Sequence, residues 1–306
     1  MSWNVLARQL QQQVTGRVLA GASMKQFTTW RIGGPADLLL IPGAEADVAA
    51  AVDFAARHGL PLSVVGNGSN LLVSDSGIRG LTLRIGGGLT GLEVDDGEIL
   101  AEAGVFLPAL SKRAMQEGLG GLEFAGGIPA SLGGALIMNA GAFGQRIGEI
   151  VSTVETVDFN GVKKEWAASE LFFDYRWSAL QSQRLVILRA RMRLQPGDSR
   201  EIRERYDYFL EYRSNHHPLD QPSAGSVFRN PPGTAAGRLI EMAGLKGFRV
   251  GDAQISTKHA NFIVNLGNAT AAQVKELMQI TTDRVSALFG IELETEVRMV
   301  GEHARS

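Results

Sequence analysis

Apolar residues at Trp3, Leu6, Leu10 and Val14 recur at helical spacing and stop at Gly16, which predicts an amphipathic first helix. A strand over 37–41 precedes a second helical pattern, 44–58, with Val48, Val52 and Ala55 on one side. Gly59-Leu60-Pro61 ends that helix before an apolar strand over 62–65, so the three form a β-α-β unit. Beyond it the period shortens to that of strands at 81–85, 92–94 and 98–103, with Asp96-Gly97 as a hairpin turn. Pro108 opens a helix that runs to Glu117. Strands over 151–159 and 162–166 flank Asn160-Gly161, the strongest hairpin signal in the chain, and 185–194 reads as a buried strand that closes the sheet.

Asp198-Ser199-Arg200-Glu201 resembles a capping box and starts a charged helix that ends near Arg213, its apolar stripe being Ile202, Tyr206 and Phe209. A long loop, 214–225, follows, and loops of that length are often functional. Helices over 234–243 and 270–289, the latter with Thr270 and Gln273 as a capping box, alternate with strands over 261–265 and 291–300. Soft boundaries near Gly86-Gly87-Gly88 and at Asp198 give three expected parts, 1–85, 86–197 and 198–306.

Two glycine-rich stretches break the amphipathic patterns. In 120–144, GGLEFAGGIPASLGGALIMNAGAFG, Gly126, Gly127, Gly133 and Gly134 bracket a helix-compatible segment containing Ile128 and opened by Pro129, and Asn139 follows it. A helix start with bare N–H groups attracts anions, whereas a tightly packed turn without ligand gives the same pattern. In 64–72, VVGNGSNLL, an apolar strand runs into Gly66-Asn67-Gly68-Ser69-Asn70-Leu71, a loop able to aim several N–H groups at one phosphate. It lacks the lysine of a Walker motif and the helix that follows a Rossmann fingerprint. Together the two stretches resemble the FAD-binding halves of vanillyl-alcohol-oxidase type flavoproteins. Ahead of them, Arg31 in TTWRIGGPA is either a partner for a cofactor phosphate or a solvated loop cation.

Composition narrows the classes. At 306 residues and 44% hydrophobic the chain can bury a sizeable core, and a net charge of −2 without basic-aromatic runs argues against nucleic-acid binding. The apolar runs are far shorter than the roughly 20 residues that cross a bilayer, and the start lacks a signal-peptide pattern, so a cytoplasmic protein is expected, with no membrane insertion and no obligate protein partner evident. Absence of cysteine removes disulfide, thiolate and cysteinyl-flavin chemistry. No histidine lies in either glycine-rich stretch, so no metal site is expected, and any FAD is held without a covalent bond.

Three further motifs, Phe173-Asp174-Tyr175-Arg176, Gly225-Ser226-Val227-Phe228-Arg229-Asn230-Pro231 and Leu293-Glu294-Thr295-Glu296-Val297-Arg298, are similar in sequence and order to those of the UDP-N-acetylenolpyruvoylglucosamine reductase family, in its shorter type. With the glycine-rich motifs they span 28–301, nearly the whole chain. The resemblance implies an α+β fold: a two-part FAD-binding module of the vanillyl-alcohol-oxidase type and a C-terminal α+β substrate-binding domain. It implies reduction of FAD by NADPH and of UDP-N-acetylglucosamine enolpyruvate to UDP-N-acetylmuramate, a peptidoglycan precursor. By the same resemblance Arg176, Ser226 and Glu296 are catalytic, and Tyr175, His216, Asn230, Lys246, His259 and Asn261 are substrate-binding candidates. Cofactor contacts are implied for Arg31, for the loop Gly66 to Leu71, and for Gly126, Gly127, Ile128, Pro129, Gly133, Gly134 and Asn139.

Read from chemistry alone, an arginine fork holds a carboxylate at two points or makes a salt bridge, and a serine is a turn residue unless placed against a forming carbanion, where it serves as an acid. Glu296 shares one strand face with Glu292, Glu294 and Arg298, which otherwise reads as a solvated edge. The chain departs from the family at Phe143, commonly tyrosine, and at His216, commonly lysine. If His216 faces the substrate diphosphate, affinity becomes conditional on pH; otherwise Arg213 or His217 supplies that charge. Two rival readings stand beside this one: an oxidase of a hydroxy acid or alcohol on the same fold, separated by peroxide formation, and a nucleotide-sugar binding protein without turnover, separated by a colourless preparation.

Overall fold

The computed structural model describes residues 2–301, a mixed α and β chain organised as two compact units. The first comprises the chain up to Gly21 with Asp37–Asn67 and Gly80–Arg213; the second comprises Ala22–Ala36, Gly68–Arg79 and the chain from Ser214 on.

In the first unit the opening helix, Trp3–Gln11, buries Leu6 and Leu10, and Glu45–Arg57 buries Val48, Val52 and Phe54. Strand Leu62–Val65 pairs in parallel with Leu81 to Arg84, and the sheet order is Arg17–Ser23, Pro35–Ile41, Ile78–Arg84, Leu62–Val65. The expected β-α-β unit therefore exists with a third strand inserted between its two. A second, antiparallel sheet runs Lys163–Ala167, Val151–Asp158, Leu185–Arg193, Glu98–Glu102, Leu92–Asp95. Leu185–Arg193 was expected to close this sheet, yet it lies at its centre. Its run of buried residues, Val186 to Leu188 with Ala190 and Met192, marks a strand covered by neighbours on both edges.

Helix Ser199–His216 runs three residues past its expected end, and strand Ser223–Ser226 takes the far end of the predicted loop. What remains between them is six residues rather than a long unstructured segment. The charged run Tyr212 to His216 has no glycine or proline to stop it until Pro218.

In the second unit an antiparallel sheet, Ser223–Ser226, Phe262–Asn265, Ala253–Ile255, Arg249–Val250, packs with helices Ala236–Met242 and Ala271–Phe289 around Trp30, Phe228 and Val274. The capping box forms as expected, Gln273 N donating to Thr270 Oγ1 at 3.2 Å and Thr270 N to Gln273 Oε1 at 3.2 Å. The Asp75 carboxylate adds two bonds, from the Ala271 and Ala272 amides. The expected strand over 291–300 is a correction: only Arg298–Val300 is strand, parallel to Leu71–Val73. Upstream, Glu294 O and Glu296 N are taken by Arg229 and Val227, and Thr295 is exposed rather than inward.

Asp47, 2% exposed, ties the first unit's entry together: its carboxylate accepts from the amides of Thr15 (2.8 Å), Gly16 (2.7 Å) and Gly43 (2.7 Å). Burial pushes its carboxyl up, but these three N–H donors outweigh that and hold it below the ordinary aspartate value. The group is thus more acidic folded than unfolded, so its stabilisation is complete above the ordinary value and is lost as pH falls through the lowered one. We expect Asp47→Ala to cost about 1–3 kcal/mol in urea unfolding at neutral pH, by removing the charge-assisted hydrogen bonds that tie Thr15, Gly16 and Gly43 together. The deficit should shrink towards acid pH, and an unchanged midpoint at neutral pH would refute the role.

Candidate active site

The first unit brings the two glycine-rich stretches into contact. A Cβ on Gly66 would lie 2.5 Å from Ser131 Oγ, and Asn67 Nδ2 donates to Pro129 O at 2.7 Å. The helix that follows, Leu132–Met138, does not offer the expected bare N–H groups. Leu132 N donates to Val105 O, Gly133 N to Ala103 O, Ala135 N to Ser131 O and Gly134 N to the Ser131 side chain. Free donors lie instead in the other stretch, where the amides of Asn67, Gly68, Ser69 and Asn70 donate to no protein acceptor among the described residues. Gly68, at φ +68°, turns this run so that successive N–H groups can converge, the geometry of an anion nest.

Gly126 and Gly127 are required by protein packing. A Cβ on the first would meet the Tyr206 ring at 2.5 Å, and on the second would collide with the Arg213 side chain. Sequence reasoning weighed Arg213 only as a substitute for His216. Burial pushes its guanidinium down to about 10, and its Nε is buried without a hydrogen-bond partner. A desolvated cation against the FAGGIP turn is a group that an anionic ligand would satisfy.

Asn139 was expected at the cofactor, but it is 2% exposed and its amide is spent within the protein. Oδ1 accepts from Gly148 N at 3.0 Å and Nδ2 donates to Asp174 O at 2.9 Å. It therefore holds the turn that presents Tyr175, which is exposed, and Arg176, which is half-buried. Arg176 donates to Gly141 O at 3.3 Å, lies 5.4 Å from the Tyr175 ring centroid, and has φ +55°. Phe143 shares that left-handed conformation, its ring stacked on Phe209 at 4.1 Å. Bulky residues pay about 1–2 kcal/mol for this backbone, and such strain clusters at sites where geometry is imposed.

In the second unit Arg31 is exposed, also at φ +55°, between Trp30 and Ile32, which are buried. The Trp30 indole donates to Ile263 O at 2.8 Å, so core packing on either side leaves Arg31 directed outward. Strand Ser223–Ser226 pairs Ser223 with Val264 and Ser226 with Phe262, three residues against two. The resulting bulge contains Gly225 at φ +75°, the position that needs glycine, and it re-aims Ser226, which is half-buried. The next residue, Val227, joins both expected catalytic positions of this unit: its N donates to Asn261 O at 2.8 Å, and its O accepts from Glu296 N at 2.8 Å.

The remaining expected substrate residues divide. Asn230 and Lys246 are exposed; Asn230 Oδ1 accepts from Ala236 N at 3.0 Å and Lys246 pairs with Glu241 at 2.9 Å. His216 is exposed at the helix end, while the His217, His259 and Phe262 rings cluster with centroids 4.9–5.4 Å apart. Beside them a cleft of about 610 Å³ is lined by polar groups including Ser214, Gln221, Ser256 and Lys258. Asn261, expected among the substrate contacts, is 3% exposed, and its side-chain amide is bonded to the main chain of Phe228. Among the described residues no group of three or more histidines and carboxylates could hold a metal, and no helix is long and apolar enough to cross a membrane.

With this geometry in view, comparison with known proteins gives consistent matches. The family model described as the C-terminal domain of UDP-N-acetylenolpyruvoylglucosamine reductase matches residues 217–300, and an FAD binding domain matches residues 36–164. UDP-N-acetylenolpyruvoylglucosamine reductase of Heliobacterium modesticaldum is 46% identical over 96% of this chain and 94% of its own length. That of Moorella thermoacetica is 45% identical over 99% of each. The crystal structure of the Thermus caldophilus enzyme matches with TM-score 0.81 at 37% identity, covering 93% of this chain and 99% of that one.

The histidine cluster yields a prediction. His259 Nδ1 accepts from Asn261 N at 3.2 Å, so the ring proton belongs on Nε2. Burial pushes the imidazole pKa down, Lys246 and His216 add to this, and Glu241 opposes it. The fold thus favours neutral His259, a contribution present above the ordinary histidine value and lost as pH falls through the lowered one. Long-range ¹H–¹⁵N spectra should show the Nε2–H tautomer and a midpoint below about 6.5. A proton on Nδ1, or a higher midpoint, would contradict the contact.

Proposed function

The chain belongs to the UDP-N-acetylenolpyruvoylglucosamine reductase family, and from that premise we propose that Arg176, Ser226 and Glu296 carry its reaction. The enzyme is an FAD-containing oxidoreductase that uses NADPH to reduce the enolpyruvyl group of UDP-N-acetylglucosamine enolpyruvate, giving UDP-N-acetylmuramate for peptidoglycan. We assign it to the cytoplasm, with the nucleotide sugar and NADPH as its partners.

The residues fit a non-covalently held FAD. The amides of Asn67 to Asn70 offer unused donors for a pyrophosphate, and Arg213 offers a desolvated cation. Arg31 is an outward cation for an anionic group. Bound at these groups, FAD would supply hydride chemistry for C3 of the enolpyruvyl group.

What the chain supplies is charge control and a proton. Hydride arrival at C3 pushes an electron pair onto C2 and the adjoining carboxylate, and the Arg176 fork suits that carboxylate before and during the transfer. Glu296 can help only as a donor in its protonated form, because a second carboxylate would repel the developing charge. The Ser226 hydroxyl delivers the proton to C2, completing the lactyl ether. Tyr175, beside Arg176, and Asn230, Lys246, His216 and His259 are the polar groups we assign to the diphosphate and sugar.

The observation that carries this reading is the Val227 link, which supports a joint role for Ser226 and Glu296. Stopped-flow spectra should show Ser226→Ala reduced by NADPH at near the normal rate and reoxidised by the enolpyruvyl substrate about 10²-fold or more slower. Glu296→Ala, which leaves no donor there, should divide the half-reactions the same way. Equal slowing of both would move these residues to cofactor or fold support.

A further inference from the structure

We propose that Asn261 is a positioning residue which, through both hydrogen-bonding ends of its side-chain amide, fixes the backbone that carries Ser226 and Glu296. This rests on the catalytic assignment above. Three observations in the second unit carry it.

The first is the amide itself. Oδ1 accepts from Phe228 N at 3.0 Å and Nδ2 donates to Phe228 O at 2.8 Å, so one side chain satisfies both backbone groups of a single residue. This is the pairing that a neighbouring strand would provide, made where no strand continues. Strand Ser223–Ser226 has just ended in its bulge, and Phe228 pairs with the 291–297 segment as an isolated bridge to Thr295, without a continuing ladder.

The second is burial. Asn261 is 3% exposed and Phe228 2%, so loss of the amide leaves an N–H and a C=O without water to replace it. Such a loss is felt as displacement of the loop as well as destabilisation.

The third is connectivity. Asn261 O also receives Val227 N at 2.8 Å, and Val227 O receives Glu296 N at 2.8 Å. One residue thus holds the two positions directly after Ser226, Phe228 by its side chain and Val227 by its main-chain carbonyl, and Val227 in turn holds Glu296. Arg229 N, donating to Glu294 O at 2.8 Å, closes the same frame on its other side. Neither catalytic side chain needs to touch Asn261 for its aim to depend on it. A shift of about 1 Å in a reacting group costs about 10²-fold in rate, so the clamp acts on chemistry more than on affinity.

The test uses full-length holoenzyme. Asn261→Leu removes both bonds at similar volume. It should slow reoxidation by UDP-N-acetylglucosamine enolpyruvate by about tenfold or more, with reduction by NADPH within about twofold of wild type and substrate Kd little changed. In a Ser226→Ala background the same substitution should add far less, since its effect passes largely through that hydroxyl. If Asn261→Leu does not fold, Asn261→Asp replaces it: the acceptor remains and the donor returns only on protonation, so its reoxidation should recover relative to wild type as pH falls.

Equal slowing of both half-reactions, or a full additive loss in the Ser226→Ala background, would overturn the inference and leave Asn261 a general stabilising residue. Wild-type reoxidation by both Ser226→Ala and Glu296→Ala would instead overturn the catalytic assignment, and the clamp with it. That outcome is distinct because it appears in the single catalytic variants before Asn261 is altered.

Discussion

A buried backbone amide or carbonyl must find a partner, and where the loops of this protein leave the strand ladders, polar side chains supply one. The Asp47 carboxylate gathers Thr15, Gly16 and Gly43; Asn139 holds Gly148 and Asp174; Asn261 holds Phe228. Asn265, 3% exposed, donates to Trp30 O at 3.0 Å and accepts from the amides of Gly267 and Ala269. Removing Asn261 or Asn265 would strand buried partners, Phe228 in one case and Trp30 and Ala269 in the other, at about 1–3 kcal/mol.

This constraint gives the candidate active site its form. Arg176 rides on a turn whose carbonyl at Asp174 is fixed by Asn139, and its own carbonyl is fixed by Gln181 at 3.0 Å. Ser226 and Glu296 are linked through Val227. Strain appears in the same places: Arg31, Asn139, Phe143 and Arg176 all take left-handed backbone without being glycine. Surrounding contacts have to impose such conformations, which is the condition under which a side chain is held to one direction.

Glycine plays two different parts in the motifs of this reductase. At Gly126 and Gly127 it makes room for Tyr206 and Arg213, and at Gly66 for Ser131, so protein fills the space. At Gly68 and Gly225 it provides a backbone conformation, turning free amides together in one case and forming a bulge before Ser226 in the other. Both parts read identically in the sequence, and only the structure tells them apart.

The sequence by itself determined the periodic elements, the capping box at Thr270 and Gln273, and the linked motifs that identify the family, because each rests on residues near one another in the chain. It could not determine that Leu185–Arg193 is central, that 291–300 is strand only at its end, or which amides remain free for an anion. Those depend on what lies across from each segment. Asn139 and Asn261 show the limit most clearly: an asparagine within a functional motif reads as a ligand contact until its burial and its partners are known. Tertiary structure bonds both amides within the protein, because partners distant in sequence, Gly148 and Asp174 for one and Phe228 for the other, are brought beside them only by the fold.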